Sequence, residues 1–205
     1  MRRLVLLFSL LFAACNTTTS PTASIESLAA TTADAAAIPE GKTPEERREI
    51  FQAAVLLFER GDLAAARPFF ESSARNHPLL ADHALRHLAR IHARQGDRTG
   101  ELAAWSALAE RHPGSVWHGE AAVALAAARH EEGDSAGATR WLAEAKGQRL
   151  TPRDEARALW LESGIARAAG DLTRARRLGA EVRSRFSGSK EAIEAREQAW
   201  RERET

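Results

Sequence analysis

Tyrosine is absent, methionine occurs only as Met1, cysteine only as Cys15, and all but three of the 29 basic residues are arginine. A lone cysteine cannot close an intramolecular disulfide, so no disulfide framework holds the fold. β-branched residues are few, which disfavours a sheet protein. The apolar run over residues 4–14 is too short to span a bilayer, which takes roughly 20 residues of helix. No charge of one sign dominates: 29 basic residues face 28 acidic ones. A general binder of nucleic acid would carry a basic excess, so that class is set aside. There is no phosphate-cradling glycine loop, no nucleophile elbow and no Ser/His/Asp arrangement, and no enzymatic activity is expected. What the chain has in quantity is Ala, Arg, Leu and Glu, all good helix formers.

The N-terminus reads as an address. Arg2 and Arg3 precede the apolar run, and small residues Ala13 and Ala14 lead to Cys15. A basic start, a core of about 7–15 apolar residues and a small-residue end describe a secretory signal. The stretch Leu11-Phe12-Ala13-Ala14-Cys15 resembles the lipobox of bacterial lipoproteins, with Phe12 where that family usually has Leu. The resemblance implies a signal peptide over residues 1–14, cleavage before Cys15, and acylation of Cys15 as the only non-protein group. One acyl chain anchors marginally, whereas two or three hold stably. Asn16 follows the cysteine in place of the Asp that commonly retains such proteins at the inner membrane. The implied location is therefore the periplasmic face of the bacterial outer membrane. Removal of Arg2 and Arg3 leaves 27 basic against 28 acidic residues. Residues 15–42 hold the lipidated cysteine and a linker rich in Thr, Ser, Ala and Pro, too poor in large apolar groups to offset its ordering entropy.

From residue 43 to 205 the chain repeats itself. Gly-Asp occurs at Gly61-Asp62, Gly96-Asp97, Gly133-Asp134 and Gly170-Asp171, at intervals of 35, 37 and 37 residues. Glycine can take the left-handed conformation that stops a helix, and Asp can cap the next one. Seven residues before each glycine stands a small residue: Ala54, Ala89, Ala126, Ser163. Five after stand Ala66, Glu101, Ala138 and Ala175; nine after, Phe70, Trp105, Leu142 and Gly179. Pro78 and Pro113 fall where a second helix should stop. This punctuation resembles the tetratricopeptide repeat, a helix–turn–helix unit of about 34 residues. Glu101 and Gly179 depart from it.

The resemblance implies an all-α fold: a right-handed solenoid of four helix–turn–helix repeats closed by a C-terminal capping helix. Helices are expected over residues 44–60, 63–76, 79–95, 98–112, 115–132, 135–147, 152–169, 172–186 and 190–203. Thr43-Pro44 and Thr151-Pro152 supply N-caps followed by proline in the first turn, and Ser189 a cap for the last helix.

In tetratricopeptide arrays the first helices of the units line a concave groove that holds a partner. Transferred by phase, that groove would be lined by Phe51, Val55 and Phe58 from the first unit. The second contributes His83, Arg86, His87, Arg90 and Arg94; the third, Val123, Ala127 and His130; the fourth, Arg157, Trp160 and Arg167. Trp105 and Trp141 belong to the core by position. Arg86, Arg90 and Arg94 are spaced i, i+4, i+8 on one helix face. They invite an anionic guest, or else form a solvated face balanced by nearby glutamates. His83 and His87 share a face too, without the Glu or Cys that would complete a metal set. Glu71-Ser72 and Glu162-Ser163 resemble the Glu-Ser of lytic transglycosylases, but the Gly-Leu-Met-Gln run of that family is missing.

Two functions follow from these resemblances. One is a non-catalytic scaffold that binds an acidic and apolar peptide or helix of an envelope protein. The other is a regulator that engages a cell-wall enzyme or a peptidoglycan glycan directly. Neither involves nucleic acid, a metal or a small-molecule substrate.

Overall fold

The computed structural model describes residues 40–204. The expected signal peptide, Cys15 and the linker up to residue 39 lie outside the described residues, as does Thr205. The described residues are all-α, with no strand among them. Nine helices follow in order: α1 (Pro44–Arg60), α2 (Leu63–Asn76), α3 (Ala81–Gln95), α4 (Arg98–Arg111), α5 (His118–Glu131), α6 (Ser135–Lys146), α7 (Pro152–Ala168), α8 (Leu172–Arg185) and α9 (Lys190–Glu204).

Local chemistry sets these ends. Thr43 and Glu46 form a reciprocal capping box at the start of α1, so two otherwise unpaired N–H groups are satisfied. Thr151 caps α7 through the Asp154 N–H, and Ser189 accepts from the Ala192 N–H at the start of α9. All four Gly-Asp glycines have positive φ. Asp97, Asp134 and Asp171 accept from the N–H three residues on; Asp62 makes no side-chain cap bond.

Two helices start later than expected, α3 at Ala81 and α5 at His118. Pro78 and Pro113 stop the preceding helices, and the chain then spends several residues turning. Leu80 N–H donates to His77 O at 3.3 Å, and His118 N–H to Ser115 O at 3.1 Å.

Consecutive helices pack on one another, and α7 touches both α5 and α9. The small residues ahead of the turns, Ala54, Ala89, Ala126 and Ser163, are all buried. Ser163 Oγ donates to the Ala175 carbonyl at 2.8 Å, a direct bond between α7 and α8. One core cluster joins α1 to α5 around Phe69, Phe70, Trp105, Leu108 and Ile91; a second, around Val123, Leu142 and Ala158, joins α5 to α7. Trp141 packs against both.

The two departures from the repeat pattern have physical explanations. Glu101, where the other units have Ala, is ion-paired to Arg98 at 3.0 Å. Gly179 lies beneath Trp160: a Cβ there would sit 3.7 Å from the ring. The large side chain that α2, α4 and α6 supply from the second helix of a pair is here supplied by the first.

Candidate functional site

Between α3, α4, α5, α7 and the start of α9 lies a cavity of about 510 Å³. Its lining includes six basic side chains (Arg86, Arg90, Arg94, Arg153, Arg157 and Lys190) against four carboxylates (Glu101, Glu120, Asp154 and Glu191). Each set of side chains arrives by helical spacing: Arg86, Arg90 and Arg94 lie along α3, and Arg153 and Arg157 one turn apart at the start of α7.

The arginine stripe on α3 does not face solvent as three equal charges. Arg86 and Arg90 converge on one carboxylate, Glu120 of α5, at 2.5 and 3.0 Å. The Arg86 guanidinium also lies 3.6 Å from the ring centre of Trp117, a cation–π contact. Trp117 Nε1 donates to His83 Nδ1 at 3.3 Å. Arg94 sits over the face of Phe58, 4.5 Å from its centre. No carboxylate among the described residues pairs with Arg94, Arg153 or Arg157. Those three are the cavity's cations outside any ion pair, and Asp154 and Glu191 of the same lining are carboxylates outside any ion pair among the described residues.

Phe51, Val55 and Phe58 do not line this cavity. They pack against the first core cluster. Phe51 and Phe58 meet Phe70 edge-on, at 5.8 and 6.2 Å between ring centres. His87 completes that aromatic group, stacked parallel on Phe70 at 4.6 Å and edge-on to Phe58 at 4.8 Å. Its Nδ1 is buried with no hydrogen-bond partner among the described residues. Burial, then the neighbouring Arg86, Arg90 and His83, hold the imidazole pKa down to about 4, against a smaller opposing pull from Glu120. His83 and His87 share a helix face and both meet Phe51 edge-on, but His83 accepts from Trp117 whereas His87 packs on Phe70 and Phe58. No group of three His, Cys, Asp or Glu residues among those described is placed to hold a metal ion.

Trp160 is not brought to the arginines either. With Arg167 it lines a second cavity, of about 370 Å³, between α7, α8 and α9. There Glu202 accepts from Arg167 and from Arg176, the latter at 2.8 Å. Hydrogen bonds from Arg176, Gln198 and Arg167 pull its carboxyl pKa down to about 2.

Val123 and Ala127, expected on a groove wall, are core residues. Residues 121–128 of α5 are buried without a break, because α4, α6 and α7 surround a helix apolar on every side. Glu162 carries two ion pairs, to Lys146 at 2.8 Å and Arg174 at 3.5 Å, with its side chain 10 % exposed. It joins α6, α7 and α8, and its neighbour Ser163 bonds to backbone.

Glu120 and Arg153 escape a reading that takes one helix at a time, though a signal for Glu120 exists. It stands 37 residues after His83, the Gly96–Gly133 interval, so it holds the phase of His83 one unit on, one turn before the position that matches Arg86. A stripe sought along one helix misses a pair formed across two.

No family model, no curated protein and no solved structure matches the chain.

Proposed function

We propose that the chain is a non-catalytic interaction scaffold of the bacterial envelope: a tetratricopeptide-like solenoid of four units and a capping helix, held by acylated Cys15 to the periplasmic face of the outer membrane. The N-terminal residues carry the anchor and the location. The repeat spacing and the left-handed turns at Gly61, Gly96, Gly133 and Gly170 support the solenoid. Its partner is an acidic segment of an envelope protein that places carboxylates in the α3–α5–α7 cavity.

The observation that carries this reading is the set Arg94, Arg153 and Arg157 on the wall of one cavity, none paired to a carboxylate among the described residues. Guanidinium groups in a partly enclosed space gain from a carboxylate that accepts two parallel N–H bonds. Arg86 and Arg90 have another task, since Glu120 holds them and orders α5 against α3. The apolar part of the ligand lies against Trp105 and Ala124, which share the wall. Phe51 and Phe58 are partly buried against Phe70 and His87.

The test is cross-linking in cells followed by mass spectrometry, comparing the native protein with an Arg94→Glu/Arg153→Glu/Arg157→Glu variant. These positions spare the Glu120 pair, whose disruption would leave a half-buried charge unmatched. A defined envelope protein captured by the native chain and lost from the variant is the expected result. Partners that survive in the variant exclude the cavity as the binding site. Recovery of glycan-linked material alone places the chain with cell-wall regulators instead.

A further inference from the structure

The helices run to and fro between two edges of the fold, one helix length apart. One edge carries the Gly-Asp turns. The other carries the start of α1 and the loops at residues 77–80, 112–117, 147–151 and 186–189. Contacts between the first helix of each unit and the loop that follows its second helix tie this second edge together. Phe51 meets His77, Ser115 Oγ donates to Asp82 at 2.6 Å, Gly119 abuts Leu150 and Gln148, and Pro152 shares a cavity with Phe186.

The edges differ in chemistry. Each Gly-Asp turn has a carboxylate, engaged as a helix cap at Asp97, Asp134 and Asp171, with Glu132, paired to Arg129, added at the third. The four loops of the other edge contain no acidic residue. They hold Leu79, 81 % exposed, and Val116, 71 % exposed, the two most exposed large apolar side chains among the described residues. Basic residues in the last helical turns occur at both edges: Arg75, Arg111, Lys146 and Arg185 here, and Arg60, Arg94, Arg129 and Arg167 at the Gly-Asp edge. Three of the acids one turn further in are engaged in caps and hydrogen bonds, Glu46 with the Lys42 and Thr43 N–H groups, Asp154 with Thr151 and Asp82 with Ser115, while Glu45 and Glu191 of the first turns of α1 and α9 are not, among the described residues.

The chain also enters the fold at this edge, and its path is held. Arg47 donates to the Gly41 and Lys42 carbonyls at 3.0 and 3.1 Å. Only the short stretch 16–39 separates Cys15 from the first described residue.

We infer that this edge lies against the lipid surface, with Leu79 and Val116 at the level of the headgroups. The inference rests on the reading of Cys15 as a lipid anchor. A tether of this length holds the fold at high effective concentration near the bilayer, so weak contacts suffice to orient it. Apolar tips flanked by arginine and lysine suit the interfacial zone, where side chains bury carbon and phosphates accept the cations. The Gly-Asp edge, with its row of carboxylates, is turned toward the periplasm.

The test uses the mature chain from Cys15, coupled through that thiol to a maleimide lipid in phosphatidylcholine vesicles with phosphatidylglycerol. Hydrogen exchange is compared with the same chain free in solution, its thiol capped. Amides in residues 77–80 and 112–118 should exchange roughly threefold slower or more on vesicles, with the four Gly-Asp turns unchanged. A Leu79→Ser/Val116→Ser variant, altered only at exposed positions, should lose that protection and keep its melting temperature. Equal exchange at the two edges, or protection at the Gly-Asp edge, overturns the orientation. Protection that develops in solution as the free chain is concentrated assigns the edge to a second copy and overturns it as well. Fatty-acid labelling of Cys15 in cells tests the anchor separately: absence of label removes the membrane placement, whatever the chemically tethered chain does.

Discussion

The first four helices and the last four solve the same packing problem with different materials. Between α1 and α4 the fill is bulky: Phe69, Phe70, Trp105, Leu108 and Ile91 are buried, and Phe51, Phe58 and His87 close around Phe70. Between α6 and α9 it is mostly alanine, and charged pairs take up the rest. Glu162 joins α6, α7 and α8, and Glu202 joins α9 to α7 and α8. Alanine lets helices approach closely but contributes little apolar area per residue. The later helices therefore lean on ion pairs whose strength depends on their exclusion from water. One backbone repeat can be held either way, provided small residues precede each turn.

The comparison can be broken most directly in the cores. Phe70→Ala removes the ring on which His87 stacks and should cost about 3–5 kcal/mol; Leu142→Ala, at the matching position after Gly133, should cost about 2–3 kcal/mol. Urea denaturation of both variants measures the gap, and equal losses would show that the two halves are held alike.

Acid should separate the halves next. The unfolded chain takes up a proton on His87 near 6.5, whereas the native protein does so only at about 4. This contribution is fully present above pH 6.5 and is lost as pH falls from 6.5 to 4. It amounts to about 2 kcal/mol once the solvent-facing part of the ring is allowed for. His87→Phe should flatten the stability profile in that window. Glu202 titrates near 4.5 unfolded and about 2 folded, so its contribution survives down to pH 4.5 and disappears below. Hydrogen exchange at about pH 5 should show α1–α3 loosened before α7–α9.

Glu162→Gln keeps the shape of the side chain and removes its charge. That side chain is 10 % exposed, and Lys146 and Arg174 would both be left unmatched. A loss of about 1–2 kcal/mol is expected in thermal unfolding. No change would mean that alanine packing alone holds the later helices. The smallest effect should come at the turns. Gly133 has φ +80° and nothing within 4 Å of an added Cβ. Gly133→Ala should therefore cost about 1 kcal/mol from backbone strain alone, and Gly133→Val more.

Much of the helical frame is legible in the order of residues. Caps, left-handed glycines and prolines act within a few residues of their own position, so Thr43, Gly61, Pro78 and Ser189 announce their roles locally. Helix ends agree to within a residue or two, except at α5, where Pro113-Gly114 opens a longer turn. The candidate site is less legible. Arg86, Arg90, Arg94 and Arg157 do line one cavity. Which of them are neutralised depends on Glu120, a residue of another helix. Trp160 points inward by phase, yet Gly179 gives it room over α8.

Where helices begin, end and turn follows from the chain alone, because those events are governed by φ preferences and hydrogen bonds between near neighbours. Which surfaces stay open is settled only when the helices pack. Burial and charge pairing are properties of two or more helices at once. Val123 is core because α6 and α7 cover it, and Arg153 is unmatched because no carboxylate among the described residues comes from another helix to pair with it.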